Sequence, residues 1–272
     1  MSTPYICAAC GSQFAETTSE PARCPICEDS RAFGVELGRR QRWTTVAQLR
    51  THHRNRIRKI DPGIISIAIE PQFSVGHHCI LVQGEEGNIL WDCITLIDDA
   101  TIQAVQELGG ISAIAISHPH FYGSMVEWSR AFGNAPIYLH EADREWVLRS
   151  DPAVISWEGD SLRLNQELTL VHCGGHFAGG AVLHWAGRRG RPGSLLTGDT
   201  IAVLEDHESV TFMHNYPKQI PLPASAIHRI IEAIEPFEFD RIYGCWPQKL
   251  IPAGGKRAVL ASANRYIEQL AS

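Results

Sequence analysis

No stretch of the 272-residue chain approaches the roughly 20 consecutive apolar residues that a membrane span needs. Its start, Met1-Ser-Thr-Pro-Tyr-Ile-Cys7, lacks a basic segment followed by an apolar run, so no secretory signal is expected and the expected location is the cytoplasm. GxSxG is absent, which leaves a serine nucleophile on an elbow turn without support, and neither GxGxxG nor a P-loop is present to cradle phosphates. There is no low-complexity tract and no internal repeat. An excess of positive charge is missing too: 24 Lys and Arg stand against 30 Asp and Glu, a net charge of −6, so nucleic acid is not an expected partner. With 44% hydrophobic and 20% charged residues the chain can bury a core of its own. Two residue types are plentiful, 8 Cys and 13 His, and both are metal-ligand types.

Four of the cysteines fall in the first 27 residues, as Cys7-Ala-Ala-Cys10 and Cys24-Pro-Ile-Cys27. Two intervening residues let one tight turn aim two sulfurs at one tetrahedral ion, so two such pairs predict a structural four-thiolate zinc site. Iron, as in rubredoxin-like ribbons, suits the same geometry. Gly11 follows the first pair, where the turn wants a residue tolerant of positive φ. Residues 1–33 are too small and polar for a core of their own, so the metal supplies their folding energy. A closed four-thiolate shell has no open position for substrate, which makes the ribbon a stabilising module or one that docks a protein partner or another subunit. The competing reading of these cysteines is a pair of redox dithiols.

Residues 34–60 hold eight of the 24 Lys and Arg, in Arg39-Arg-Gln-Arg42 and Arg50–Lys59, and read as a solvated basic linker or helix. From residue 61 to 272 the pattern changes to that of one larger α/β domain. Short β-branched runs at 64–69, 79–83 and 88–92 are bounded by Gly, Pro or Asn, with a hairpin turn at Glu85–Asn88. A helix is predicted over 99–108 and ends at Gly109-Gly110, then a buried strand at 112–116 and helices near 124–132 and 142–149. The second half repeats the style, with strands at 161–164, 167–172, 181–186, 194–197 and 240–243 and helices at 224–235 and 256–270. Strand clusters with helices in each half predict a layered α/β (α+β) domain with its helices outside.

The histidines sharpen this. His118 and His120 lie just past the 112–116 strand; in an extended backbone residues i and i+2 share a face and reach one ion together. Gly174-Gly-His176-Phe-Ala-Gly-Gly180 follows another strand, and its glycines allow close backbone approach around His176. Thr197-Gly-Asp199 sets a carboxylate at the end of a third. Three imidazoles and a carboxylate at strand-to-loop junctions form a plausible site for Zn or Fe(II).

In order and local wording, residues 61–250 resemble the metallo-β-lactamase-fold hydrolase superfamily, here with a zinc ribbon at the N-terminus. Asp92 in Asn-Ile-Leu-Trp-Asp matches that family's early strand motif, His118-Pro-His120 the first half of its HxHxDH motif, Gly175-His176 its third motif and Thr197-Gly-Asp199 its bridging-Asp motif. The resemblance implies an αββα sandwich with its metals at one edge. The chain departs from the family where HxHxDH continues: Tyr122 stands at the Asp position and Gly123 at the last His position, and the late His falls near Gly244-Cys245-Trp246. Those three positions hold the second ion in two-metal members, so a single Zn or Fe is expected, held by His118, His120, His176 and Asp199.

The expected reaction is attack by metal-bound hydroxide on a small ester, thioester, lactone or amide. Asp199 is expected to coordinate the ion or orient its water, and Tyr122 to hydrogen-bond a developing oxyanion. His140, Asp92 and Cys245 are candidates for contact with the ligands rather than with the substrate. The alternative is a mononuclear non-haem iron enzyme acting on a sulfur compound, or a catalytically inactive metal-binding protein.

Overall fold

The computed structural model describes residues 2–31, 41–187 and 192–271. Arg39 and Arg40 of the first basic run lie outside them. The chain divides into two compact units: residues 1–139 with 144–156, and residues 140–143 with 157–272.

The first unit opens with the ribbon, a three-stranded sheet in which Thr3–Cys7 pairs with both Gln13–Thr17 and Trp43–Thr44. It shares its unit with a seven-stranded sheet. In that sheet Arg54–Asp61, Ile64–Glu70, His78–Gly84 and Gly87–Trp91 run antiparallel in chain order. Hydrophobic β-branched runs buried on both faces account for Ile64, Ile65, Ile67, Ile80, Leu81 and Val82, all almost wholly buried. The basic segment expected as a linker or helix is thus an edge strand over Arg54–Asp61, where Arg56 reaches Glu70 at 2.6 Å. Charged side chains along an edge discourage pairing with another chain, and that is why a basic run suits this position.

The sheet then switches to parallel pairing, which requires a crossover. Helix Asp99–Glu107 provides it. The Asp98 side chain accepts from the Thr101 amide at 2.8 Å, and Gly109 and Gly110 end the helix with positive φ. Strand Ala113–Ala115 follows and delivers the chain to Ser117-His118 at its carboxyl end. Helix Met125–Ala131 comes next, as expected, whereas the helix expected at 142–149 is a 3₁₀ stretch over Glu141–Trp146.

The second unit holds a six-stranded sheet. Ser161–Arg163, Leu168–His172, Ala181–Trp185 and Ser194–Leu196 are antiparallel neighbours, and Arg241–Tyr243 joins Ser194–Leu196 in parallel. The crossover helix Ala224–Ile234 buries Ile227, Ile230 and Ile234 on one face, at helix spacing. Against them pack Val171, Leu195, Phe212, Phe239, Ile242 and Val259. Each such aliphatic side chain contributes about 1.5–3 kcal/mol by leaving water. No helix among the described residues is long and apolar enough to cross a membrane.

Candidate metal centres

The ribbon cysteines meet as their spacing predicts. The Cys7 and Cys27 sulfurs are 3.5 Å apart and those of Cys10 and Cys24 3.7 Å. A tetrahedron with metal–sulfur bonds of about 2.3 Å has sulfur–sulfur edges of about 3.8 Å, so this donor set fits a four-thiolate ion. Gly11 has φ +82° and its amide donates to the Cys7 carbonyl at 2.8 Å, closing the knuckle. The Gln41 side chain ties the two knuckles, donating to the Cys7 sulfur at 3.1 Å and accepting from the Cys24 amide at 3.0 Å. Hydrogen bonding among the sulfurs pulls the Cys7 thiol down and, with burial, pushes Cys10 and Cys27 up, so holding all four as thiolates needs the charge of a cation.

In the first unit, His118 sits where the parallel strand Ala113–Ala115 runs out, and carboxyl ends of parallel strands are the usual place for function in such sheets. Its Nδ1 is 2.9 Å from the Ser117 hydroxyl, which orients the ring and leaves Nε2 as the ligand atom. Asp92 supports the same corner: held at φ +62°, it accepts from the Ser117 amide at 2.8 Å. The extended spacer expected between His118 and His120 is instead a 3₁₀ turn over Pro119–Phe121, in which the Phe121 amide donates to the His118 carbonyl at 3.0 Å. Pro119 fixes the φ that begins a helical turn, and the turn still brings the two rings to 5.2 Å.

Gly123 stands where the HxHxDH pattern that the chain resembles has its last His. It has φ +45°, and a Cβ there would stand 3.0 Å from the Cys93 carbonyl oxygen and 3.0 Å from the Ile94 carbonyl carbon. Any side chain at this position would strain the turn. Tyr122 is buried and lines a small cavity with Ser12, Gln13, Ile26, Gly123 and Arg149, so the ring has the ribbon as a neighbour.

In the second unit, glycines bend the chain around His176. Gly174 and Gly175 have φ +67° and +83°, and a Cβ on Gly180 would lie 2.6 Å from the Gly174 carbonyl oxygen. His176 Nδ1 donates to the Met213 carbonyl at 3.1 Å, and its Nε2 lies 4.0 Å from an Asp199 carboxylate oxygen. Asp199 ends the strand Ser194–Leu196 and Cys245 the adjacent parallel strand Arg241–Tyr243, so one sheet edge presents both. Tyr216 donates to the Asp199 carbonyl and packs edge-on to His176 at 5.5 Å; burial and the Asp199 carboxylate push its phenol up, so it stays protonated. The aromatic and Pro-rich run Phe212–Pro217 thus reaches His176 through Met213 and Asp199 through Tyr216.

His140, expected near the ligands, stacks on His172 at 3.7 Å. His172 in turn donates from Nε2 to the Ala178 carbonyl of the His176 loop at 2.8 Å. His118 and His120 are buried in the first unit, and His176 and Asp199 are buried in the second.

No family model matches the chain. The uncharacterized protein YmaE of Bacillus subtilis (strain 168) is 44% identical over 270 residues, spanning 98% of this chain and 97% of YmaE. The chain belongs to the family of YmaE. Among solved structures, the TMB-1 structure superposes with a TM-score of 0.57 at 13% identity, covering 78% of this chain and 98% of that one. DIM-1 metallo-β-lactamase gives 0.56 at 11% identity, covering 78% and 97%. A metallo-β-lactamase from Cronobacter sakazakii gives 0.52 at 18%, covering 79% and 97%. At such identities the likeness is one of fold, and the fold is the metallo-β-lactamase type expected from the motifs.

Proposed function

We propose that the chain is a metal-dependent hydrolase with one ion in the group His118, His120, His176 and Asp199, acting on a small ester, thioester, lactone or amide. The observation that carries this reading is the donor set itself: His118 and His120, buried in the first unit with their rings 5.2 Å apart, and His176 and Asp199, buried in the second with Nε2 4.0 Å from a carboxylate oxygen. Two of the imidazoles have Nδ1 engaged by Ser117 or Met213, as ligand histidines are commonly held. A divalent ion there supplies Lewis acidity and lowers the pKa of water toward neutrality. In this reading the chain's own groups do the rest. Asp199 orients the attacking water, Tyr216 holds the Asp199 backbone, and the Tyr122 hydroxyl donates to the oxyanion that develops on the substrate.

The test is metal analysis of protein purified without added metal, paired with turnover of thioester and lactone panels. Two metal ions per chain with hydrolysis of either panel supports the proposal. Iron with O₂ consumption favours the sulfur-compound oxygenase instead, and a single ion retained by the cysteines refutes both.

A second reading is favoured by Asp199 and Cys245, which follow adjacent parallel strands of one sheet and offer ligands for a second ion with Asp199 shared. It predicts three ions per chain, falling to two in Cys245→Ser. A stoichiometry of two in the unsubstituted protein rejects it.

A further inference from the structure

The ribbon is built into the first unit through its backbone. The Ser74 hydroxyl donates to the Ala9 carbonyl at 2.8 Å and the Thr95 hydroxyl to the Gly11 carbonyl at 2.9 Å. Next come two backbone bonds, Gln13 N–H to the Gly123 carbonyl at 3.2 Å and Ala15 N–H to the Leu148 carbonyl at 3.0 Å. Trp146 and Leu148 pack against the cysteine cluster itself. A module meant only to dock elsewhere has no need of such ties.

Arg149 concentrates the coupling. Its side chain is only 7% exposed, yet it is a full charge, and a cation so placed requires partners. It finds them in two directions: the Gln13 side-chain oxygen in the ribbon, and Glu127 at 2.6 Å on the helix that follows the histidine turn. Gln13 also lies one residue past Ser12, whose carbonyl accepts from the Cys7 amide at 3.0 Å and whose hydroxyl accepts from the Cys10 thiol at 3.4 Å. A chain of short contacts therefore runs from the metal knuckle through Ser12 and Gln13 to Gly123. On its other side Gly123 abuts the Cys93–Ile94 backbone. The turn that carries His118 and His120 is held from both sides, and the ribbon supplies one of them.

We propose that the four-cysteine ribbon is a metal-dependent brace for the His118–Gly123 turn, with Gln13 and Arg149 as its positioning residues. Loading of the ribbon then sets how well ordered the histidine turn is. Four-thiolate ribbons fold only with their ion, so emptying this one frees the Gln13 amide and lets the turn open locally. The inference goes beyond the proposed hydrolase and holds whether or not that reading does, because it is read from backbone protection and not from turnover.

Hydrogen exchange on the full chain tests it, comparing the segment 118–126 with the helix Ala224–Ile234 as internal control. In Cys24→Ser/Cys27→Ser, with loss of one zinc per chain verified, exchange over 118–126 should accelerate at least about tenfold, in the range of ordinary site-to-site coupling, while the control helix is unchanged. Unchanged protection over 118–126 overturns the proposal. Should the control helix loosen as well, Arg149→Met decides. It keeps the four thiolates and their zinc, so acceleration confined to 118–126 supports the brace, and unchanged protection there overturns it.

Discussion

At the scale of single residues, Gly123 is where the chain departs from the HxHxDH pattern it resembles. Its φ of +45° and the 3.0 Å approach of the Cys93 and Ile94 backbone strain any side chain there. Restoring the motif with Gly123→His should therefore destabilise the protein by roughly 1–3 kcal/mol, the usual cost of a non-glycine residue in a strained site, without adding a metal. Urea unfolding and metal stoichiometry check both halves of that statement. Tyr122 is a separate matter. If its hydroxyl stabilises an oxyanion, Tyr122→Phe should lower kcat by about 10²-fold or more, with metal content unchanged; equal turnover would show the ring to be packing against Ser12 and Ile26 only. The vacancies at 122 and 123 were legible in the sequence. The reason for the Gly123 vacancy was not, because the obstructing atoms lie about 30 positions away in the chain.

At the scale of elements, the His176 loop depends on two neighbours that carry no charge in the folded state. His140 and His172 stack, and burial first, then the adjoining ring or the Arg229 guanidinium, holds both below the ordinary imidazole range. Arg229 donates to His172 Nδ1 at 3.2 Å, so that nitrogen is an acceptor and the ring is neutral. The sign follows from linkage: the unfolded chain takes up these protons more readily than the folded one, so stability is full above the unfolded imidazole pKa of about 6.5 and falls as pH drops below it. Urea midpoints measured from pH 7.5 to 5.5 should decline, and the decline should be shallower in His172→Asn. An equal slope in the two proteins removes this pair as the cause. Sequence periodicity located most of the strands and helices, since each buries one apolar face. It missed Arg54–Asp61, because charge on an edge strand looks like a solvated helix, and it took 141–146 for a full helix when only 3₁₀ turns form.

At the scale of the whole molecule, two metal centres of different character predict two responses to chelation. The ribbon offers four cysteine sulfurs, and the proposed histidine set is three imidazoles and a carboxylate. A ligand bound only by the folded state stabilises by about 2.7 kcal/mol at a hundredfold excess over its Kd, so stripping either ion should lower Tm. An ion held by the proposed histidine set should leave before one held by four cysteines under mild chelation, giving a two-step loss in titrations followed by metal analysis; a single step would mean that the two sites are not separately loaded.

By itself the sequence determined the chemistry on offer: which side chains can bind metal, that four cysteines would share one ion, and that the α/β pattern with these motifs is of the metallo-β-lactamase type. Those features are local, written in spacing and in the ends of predicted strands. Only the tertiary structure decided that a Cβ at Gly123 would press on the Cys93 and Ile94 backbone and that Met213 and Tyr216 hold His176 and Asp199. It also decided that the ribbon meets the histidine turn through Gln13 and Arg149. Each of these is a meeting of residues distant in the chain, and the folded backbone alone fixes which distant atoms share a neighbourhood.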